Sequence, residues 1–168
     1  TTLFRSHLLE QGRTLPGFIG DISYAQSNRE RYEGFCQALA DAGKKVDSSL
    51  CLTTPLGIDT YREEIDTFLS SLSRMPDAFV CASDYVACIL MQLLEKRGLR
   101  VPEDVAVSGF DNNTEDLLAE HLTTVQVFNE ELGARLALQI LYRIKYPNTP
   151  HEITYLGTNV LYRDSTGD

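Results

Sequence analysis

The sequence is poor in the groups that most metal, redox and nucleic-acid chemistry requires. Its four cysteines, Cys36, Cys51, Cys81 and Cys88, form no C-x-x-C pair, and His7, His121 and His151 are scattered, so a zinc site of the usual ligand spacing is not expected. Three of the cysteines sit inside apolar runs, as small core residues do in a reducing compartment. Basic residues are in deficit, 15 Lys and Arg against 24 Asp and Glu for a net charge of -9, which argues against this chain itself gripping a phosphate backbone. The opening stretch TTLFRSHLLEQGRTLP has no basic start, long apolar stretch or small-residue cleavage site, and no apolar run approaches the ~18 residues of a membrane span. A soluble protein with no membrane partner is expected. No P-loop, G-x-G-x-x-G or G-x-S-x-G pattern is found, and neither a 20 to 50 residue repeat nor a low-complexity linker interrupts the chain.

Alternation is what the chain does have. With 168 residues it is long enough for one domain, which buries roughly 70% of the surface its unfolded form exposes. Apolar runs of strand length recur at 15–20 (LPGFIG), 48–52 (SSLCL), 77–82 (DAFVCA) and 104–110 (DVAVSGF). Segments of helical period separate them. SNRERYEGFCQALADAG places Tyr32, Phe35, Cys36 and Leu39 on one face and stops on Gly43. GIDTYREEIDTFLSSLSRMP aligns Ile58, Tyr61, Ile65, Phe68, Leu69 and Leu72 and breaks before Pro76. Strands about thirty residues apart with helices between them predict βαβ units and an open parallel sheet flanked by helices. Beyond Leu122, TTVQVF reads as a strand, NEELGARLALQILYRIKYP as a long helix capped by Asn129, and HEITYLGTNVLYRDS as one or two final strands.

In such a sheet ligands bind outside the carboxyl ends of the strands. Those exits carry Asp21 and Tyr24, then Thr53 and Thr54, then Ser83 and Asp84, then Asp111 and Asn112. Capping of the next helix is the competing role, strongest for Ser83 and Asp84 and weakest for Asp111, which has nearer cap candidates behind it in Asn113 and Thr114. Arg31, two turns into the first helix, is either a solvated cation or a ligand contact. Enzymatic patterns do not close on these residues. A haloacid-dehalogenase-like nucleophile requires Asp-x-Asp with a Thr four residues after the first Asp, whereas DNNTED places Thr114 three after Asp111. A receiver-type acidic pair is also missing beside Asp21. A binding module is the better class.

The run PDAFVCASDYVACILMQLLEKRGLRVPEDVAVSGFDNNTEDLLAEHLTTVQVFNEELG, with RYEGFCQAL before it and YRDST at its end, resembles the effector-binding domain of the LacI/GalR transcription regulators. The likeness covers nearly the whole chain. It implies a periplasmic-binding-protein-like fold of two α/β lobes with the effector between them, of which this chain supplies mainly the C-terminal lobe: residues 1–124 in that lobe, 125–148 crossing to the N-terminal lobe, and 149–168 returning. The family's effector-gripping Arg falls on Arg31 and its Asp on Asp111. A guanidinium's fork of donors and a carboxylate's acceptors suit a polyhydroxyl ligand, a sugar or sugar phosphate. Ser83 stands where the family carries an Asn, which changes the hydrogen-bond pattern. The TTPLG loop lacks the aromatic many members place there, which weakens the expectation of a ring stacked on a sugar face; Tyr24 or Phe128 could substitute, although such aromatics more often serve as core or rim.

The resemblance implies the effector-sensing and dimer-forming portion of a cytoplasmic transcription regulator that binds no cofactor. Operator DNA would be bound only through an N-terminal helix-turn-helix outside this sequence. The chain opens without Met, within a helical pattern of Leu3, Leu8 and Leu9 that stops at Gly12, and reads as a fragment or processed product. The helix over 84–97 is apolar almost all round, so both its sides need covering. Its own sheet covers one, and the other is expected to form a homodimer. The competing expectations are a transporter's sugar-binding protein and, less favoured, an α/β hydrolase using Asp111.

Overall fold

The computed structural model describes residues 8, 11–57, 59–113 and 117–167. The sequence readings at Leu3, Leu9, Ile58 and Thr114 lie outside the described residues. Strands β1 (Pro16–Ile19), β2 (Cys51–Leu52), β3 (Ala78–Cys81) and β4 (Ala106–Ser108) form a parallel sheet in the order β2-β1-β3-β4. Its register pairs Phe18 with Cys51 and Val80, and Phe79 with Val107. Helices α1 (Gln26–Asp41), α2 (Tyr61–Ser71) and α3 (Asp84–Lys96) make the crossovers, the alternation expected from the sequence.

Period-two alternation in β3 divides the core between the two faces. Phe79 and Cys81 point to one face, where Ile65 and Leu69 of α2 pack with Leu90 and Leu94 of α3 and with Val107. Phe18 faces the other way and packs with Phe35 and Leu39 of α1, with the Tyr32 ring 5.1 Å from its own. Each fully buried side chain of this size contributes about 1.5–3 kcal/mol. Gly43, at φ 68°, stops α1 where the sequence predicts and lets the Lys44 N–H reach the Leu39 carbonyl at 2.8 Å, and Gly98, at φ 73°, does the same for Leu99 and Leu94 at 3.0 Å, whereas α2 ends at Ser71, with Leu72 already extended, short of the break expected before Pro76.

Helix α3 corrects one expectation. Its second side was assigned to a partner chain because the helix is apolar all round. Val86, Ala87, Cys88, Ile89, Leu90, Leu93 and Leu94 are all buried within the chain itself, because α2 packs along one flank and the short 3-10 turn Leu117–His121 along another. The all-round apolarity of α3 therefore gives no ground for a second chain.

Past the 3-10 turn, β5 (Thr124–Gln126) runs beside the end of β4, joined by Gly109 N–H to Thr123 O and Asp111 N–H to Val125 O, both 2.9 Å. It pairs antiparallel with β6 (Asn159–Leu161), the one described strand of the final segment. Between them α4 (Asn129–Lys145) buries no residue, and Leu132, Leu136, Leu138, Ile140, Leu141 and Ile144 are 47% to 73% exposed. Asn129 is the first residue of this helix; the cap position is Phe128, which makes no side-chain capping bond.

Candidate functional site

The carboxyl ends of the four parallel strands share one rim, and Arg31 and Asp111 meet there. The first turns of α1 place Arg31 so that its guanidinium lies over the Phe110 ring, 3.7 Å from the centroid. One of its nitrogens donates to the Ala82 carbonyl at 2.5 Å and the other to Asp111 Oδ1 at 3.2 Å. Three elements are thereby tied together: α1, the exit of β3 and the exit of β4. Burial pulls the guanidinium below its usual pKa against the carboxylates of Asp111 and Asp84, which raise it. Burial likewise raises Asp111 above the ordinary carboxylate value, and Arg31 offsets only part of that. Both shifts have burial as their largest cause, so the pair is partly desolvated, with the Asp111 side chain still 40% exposed.

The backbone is held under tension at the same place. Asp111 has φ 111° and Asn112 φ 54°, a region that side chains other than Gly rarely occupy and that costs about 1–3 kcal/mol per residue. Buried Asp84 fixes this turn. Its backbone N–H donates to the Phe110 carbonyl at 2.8 Å, while its Oδ2 accepts from Asn113 N–H at 2.7 Å and its Oδ1 from Thr124 Oγ at 2.6 Å. Burial raises the Asp84 carboxyl, nearby Asp111 adds to the rise, and the Thr124 and Asn113 hydrogen bonds with the Arg163 charge oppose it. Gly109 leaves room for Asp84: a Cβ there would overlap Asp84 Oδ1 and sit 2.9 Å from Leu122 Cδ2.

The remaining rim residues divide by role. Ser83 caps α3, its Oγ accepting from Val86 N–H at 3.4 Å, which is the capping role weighed against ligand contact. Asp21 is buried, and both its oxygens organise the loop after β1: Oδ1 accepts from the N–H and hydroxyl of Ser23 and from Tyr24 N–H, and Oδ2 from Leu56 N–H at 3.3 Å. Burial would raise its pKa, but these hydrogen bonds outweigh it and leave Asp21 below the usual carboxylate value. Tyr24 stands out from that loop, 74% exposed, and Phe128 is exposed at the start of α4.

A second polar network escaped sequence reasoning. Arg163 donates to the carbonyls of Ala119 and Leu122 and to Asn112 Oδ1, all at 2.9 Å. Ser165 Oγ donates to the Val107 carbonyl at 2.7 Å and accepts from Thr123 N–H at 2.8 Å, and the hydroxyls of Thr123 and Thr166 are 2.7 Å apart. The closing YRDST thus clamps β4 to β5 and holds the Asn112 side of the strained turn. In the sequence this segment showed only as a motif at the end of the chain; nothing in its spacing said that it would pair with Thr123.

Residues 6–166 match the family of periplasmic binding protein-like domains. The HTH-type transcriptional regulator DegA of Bacillus subtilis (strain 168) is 35% identical over 130 residues, 76% of this chain and 38% of DegA, so the chain spans less than half of that relative's length. The solved complex of the transcriptional regulator CelR with cellobiose superposes with a TM-score of 0.83 at 28% identity, over 96% of this chain and 49% of that one. A LacI family transcriptional regulator from Enterococcus faecium with bound ribose superposes with a TM-score of 0.81 at 25% identity, over 98% of this chain and 61% of that one.

Proposed function

This chain belongs to the periplasmic binding protein-like family of LacI-type regulators, and from that premise we propose that it is the effector-sensing, C-terminal portion of a cytoplasmic transcription regulator. The observation that carries the reading is the half-desolvated Arg31–Asp111 pair at the carboxyl rim of the sheet. Its fork of donors and its part-exposed carboxylate suit a small polyhydroxyl molecule, a sugar or sugar phosphate, each charge-assisted bond to which is worth about 1.5–3 kcal/mol net. Ser83, Asp21 and Tyr24 border the same ligand. Relatives solved with cellobiose and ribose favour this class.

In this reading residues 1–124 and 149–168 belong to one lobe, and residues 125–148 cross to an N-terminal lobe that closes the cleft and covers α4. The exposed apolar side chains of that helix support the crossing. Operator DNA is bound by an N-terminal helix-turn-helix outside this sequence, by similarity to the HTH-type relatives, and the net charge of -9 argues against a grip by this chain itself. A homodimer forms not on the apolar sides of α3, which this chain covers itself, but beside its end, where Met91, Leu99, Val101 and Leu118 line an open hollow rimmed by Glu95, Arg100 and Glu103. Effector binding shifts the two lobes between arrangements, and about 1–3 kcal/mol of coupling suffices to alter operator affinity. The test is effector-dependent operator binding by the full-length protein. Arg31→Ala and Asp111→Ala are expected to keep operator binding and lose the response to effector; a full response in both variants overturns the reading.

A further inference from the structure

Asp111 and Asn112 form one strained dipeptide whose side chains have different partners. Asp111 pairs with Arg31 at the rim, whereas Asn112 is held by the strands on either side of α4. Its N–H donates to Thr124 Oγ1 at 3.3 Å, and its Oδ1 accepts from Arg163 Nη2 at 2.9 Å. Thr124 opens β5, the strand that leads into α4, and Arg163 stands two residues past β6, the strand that follows it. The two strands are paired in register, Thr124 opposite Leu161. With its other terminal nitrogen Arg163 donates to the carbonyls of Ala119 and Leu122, closing the 3-10 turn whose Leu118 lines the hollow beside α3. One guanidinium thus joins the turn that carries Asp111, the returning strand and the turn at the hollow.

A local role accounts for the bonds to Ala119 and Leu122, since buried carbonyls need donors. It does not account for the bond to Asn112. Residues at φ 111° and 54° keep that conformation only where their surroundings over-determine it. Asp84, the first residue of α3, holds the dipeptide through Asn113 N–H and the Thr124 hydroxyl. Arg163 holds it from β6. A hydrogen bond fails beyond about 3.5 Å, so a slide of β6 against α3 by roughly 0.6 Å breaks the 2.9 Å contact to Asn112 and lets the dipeptide relax. Strain released at one bond gives two positions and not a continuous range.

We propose that Asn112 and Arg163 form the coupling joint of the sensor: a ligand's pull on Asp111 passes through Asn112 and the Arg163 guanidinium to β6 and to the 3-10 turn beside the hollow. Arg163 is a positioning residue that acts through Asn112. The inference rests on the effector-binding reading above and names the residues through which that site regulates, and the experiment separates the two.

The test uses the full-length protein, the operator duplex it selects from a random pool, and cellobiose and ribose as probes. In the wild type a bound probe is expected to change operator affinity by about 5- to 150-fold. Asn112→Gly removes the acceptor and adopts φ 54° freely, so the fold is kept. It is expected to bind the probe within about twofold of wild type while operator affinity changes by less than about twofold. Asn112→Asp keeps an acceptor for Arg163 and is expected to keep the response. Arg163→Lys replaces the fork by a single ammonium and is expected to lose it without losing probe binding. A full response in Asn112→Gly, or probe binding lost together with the response, overturns the joint and leaves the effector reading standing. If Arg31→Ala binds and responds as wild type does, the effector reading falls and the joint with it. Should neither probe bind the wild type, amide exchange decides without a ligand. Asp111→Ala is expected to speed exchange over residues 117–122 at least about fivefold, but less than about twofold when Asn112→Gly is also present; equal effects in the two backgrounds overturn the joint.

Discussion

Arg31 and Asp111 lie 80 positions apart in the chain and 3.2 Å apart in the fold. Their pairing needs the whole parallel sheet in register, since α1 delivers one and the exit of β4 the other. The guanidinium uses its geometry as well as its charge: two nitrogens donate to different elements while its face covers Phe110. A lysine in its place keeps the charge and loses the fork and the stacked plane. Arg31→Lys is therefore expected to weaken effector binding at least tenfold by calorimetry while the folded far-UV spectrum is retained. Wild-type affinity in that variant would mean that charge alone is used.

Backbone strain at Asp111 yields a second prediction, independent of any ligand. Ala and Gly both remove the carboxylate, so the difference between Asp111→Gly and Asp111→Ala isolates the cost of φ 111°. In ordinary extended or helical backbone Gly is the less stable of the two by roughly 0.5–1 kcal/mol. Here the order is expected to reverse, with Gly more stable than Ala by about 1–2 kcal/mol in denaturant melts. The ordinary order would show that the turn is relaxed.

The parallel sheet and its helices were legible in the sequence because each element carries its own local signal: a short apolar run, a 3.6-residue stripe, a Gly stop. Arg31 and Asp111 were legible through resemblance, since nothing local to NRERYEG marks its second Arg as buried. Two things escaped. The cover of α3 depends on where α2 and the 3-10 turn at 117–121 pack, and apolarity all round a helix says only that covers exist. The YRDST clamp is made of hydroxyls and a guanidinium 40 or more residues from their partners, and polar pairing at such separations leaves no periodic trace.

Gly109 tests how tightly the strained turn is built. Any Cβ there overlaps the Asp84 carboxylate, which already holds Asn113 and Thr124. Neither acceptor can move without breaking a buried hydrogen bond, so Gly109→Ala is expected to cost about 1–3 kcal/mol. A thermal melt of the variant unchanged from wild type would show that the turn yields freely.

The rim carboxylates and Asp104, in the turn before β4, respond to acid in opposite directions. Asp104 accepts the backbone N–H, Nε and Nη2 of Arg100 at 2.8, 3.0 and 3.0 Å, and these hydrogen bonds bring its pKa from 3.8 to about 2. Its folded value is depressed, so its contribution to stability is present above 3.8 and lost as pH falls toward about 2. Asp84 and Asp111 are shifted upward, so their effect has the other sign: they favour the fold most below 3.8, and the gain is lost as pH rises through their folded values. Carbon-detected NMR titration of the Asp carboxyls is expected to show Asp104 titrating near 2, rising in Arg100→Ala but staying below 3.8 because the backbone N–H of residue 100 still donates to it. Asp104 unmoved by that substitution would remove the Arg100 contact as the cause.

Helix α4 supplies the last prediction, because its chemistry conflicts with its surroundings. Leu136, Ile140 and Ile144 recur at every fourth position and so form one stripe along the helix, and they are 58%, 51% and 73% exposed. An apolar stripe of three large side chains left in water is an association surface. If it is the seam against the proposed N-terminal lobe, replacing all three by Glu has opposite effects in two settings. Residues 1–168 expressed alone are expected to become less prone to self-association, read by light scattering across a concentration series. The full-length protein is expected to lose stability, since at least about 1.5 kcal/mol of burial per side chain is forfeited and three carboxylates must enter or open the seam. A full-length melt unchanged by the triple substitution would mean that α4 faces solvent in the intact regulator, and the assignment of residues 125–148 to the other lobe would then fail.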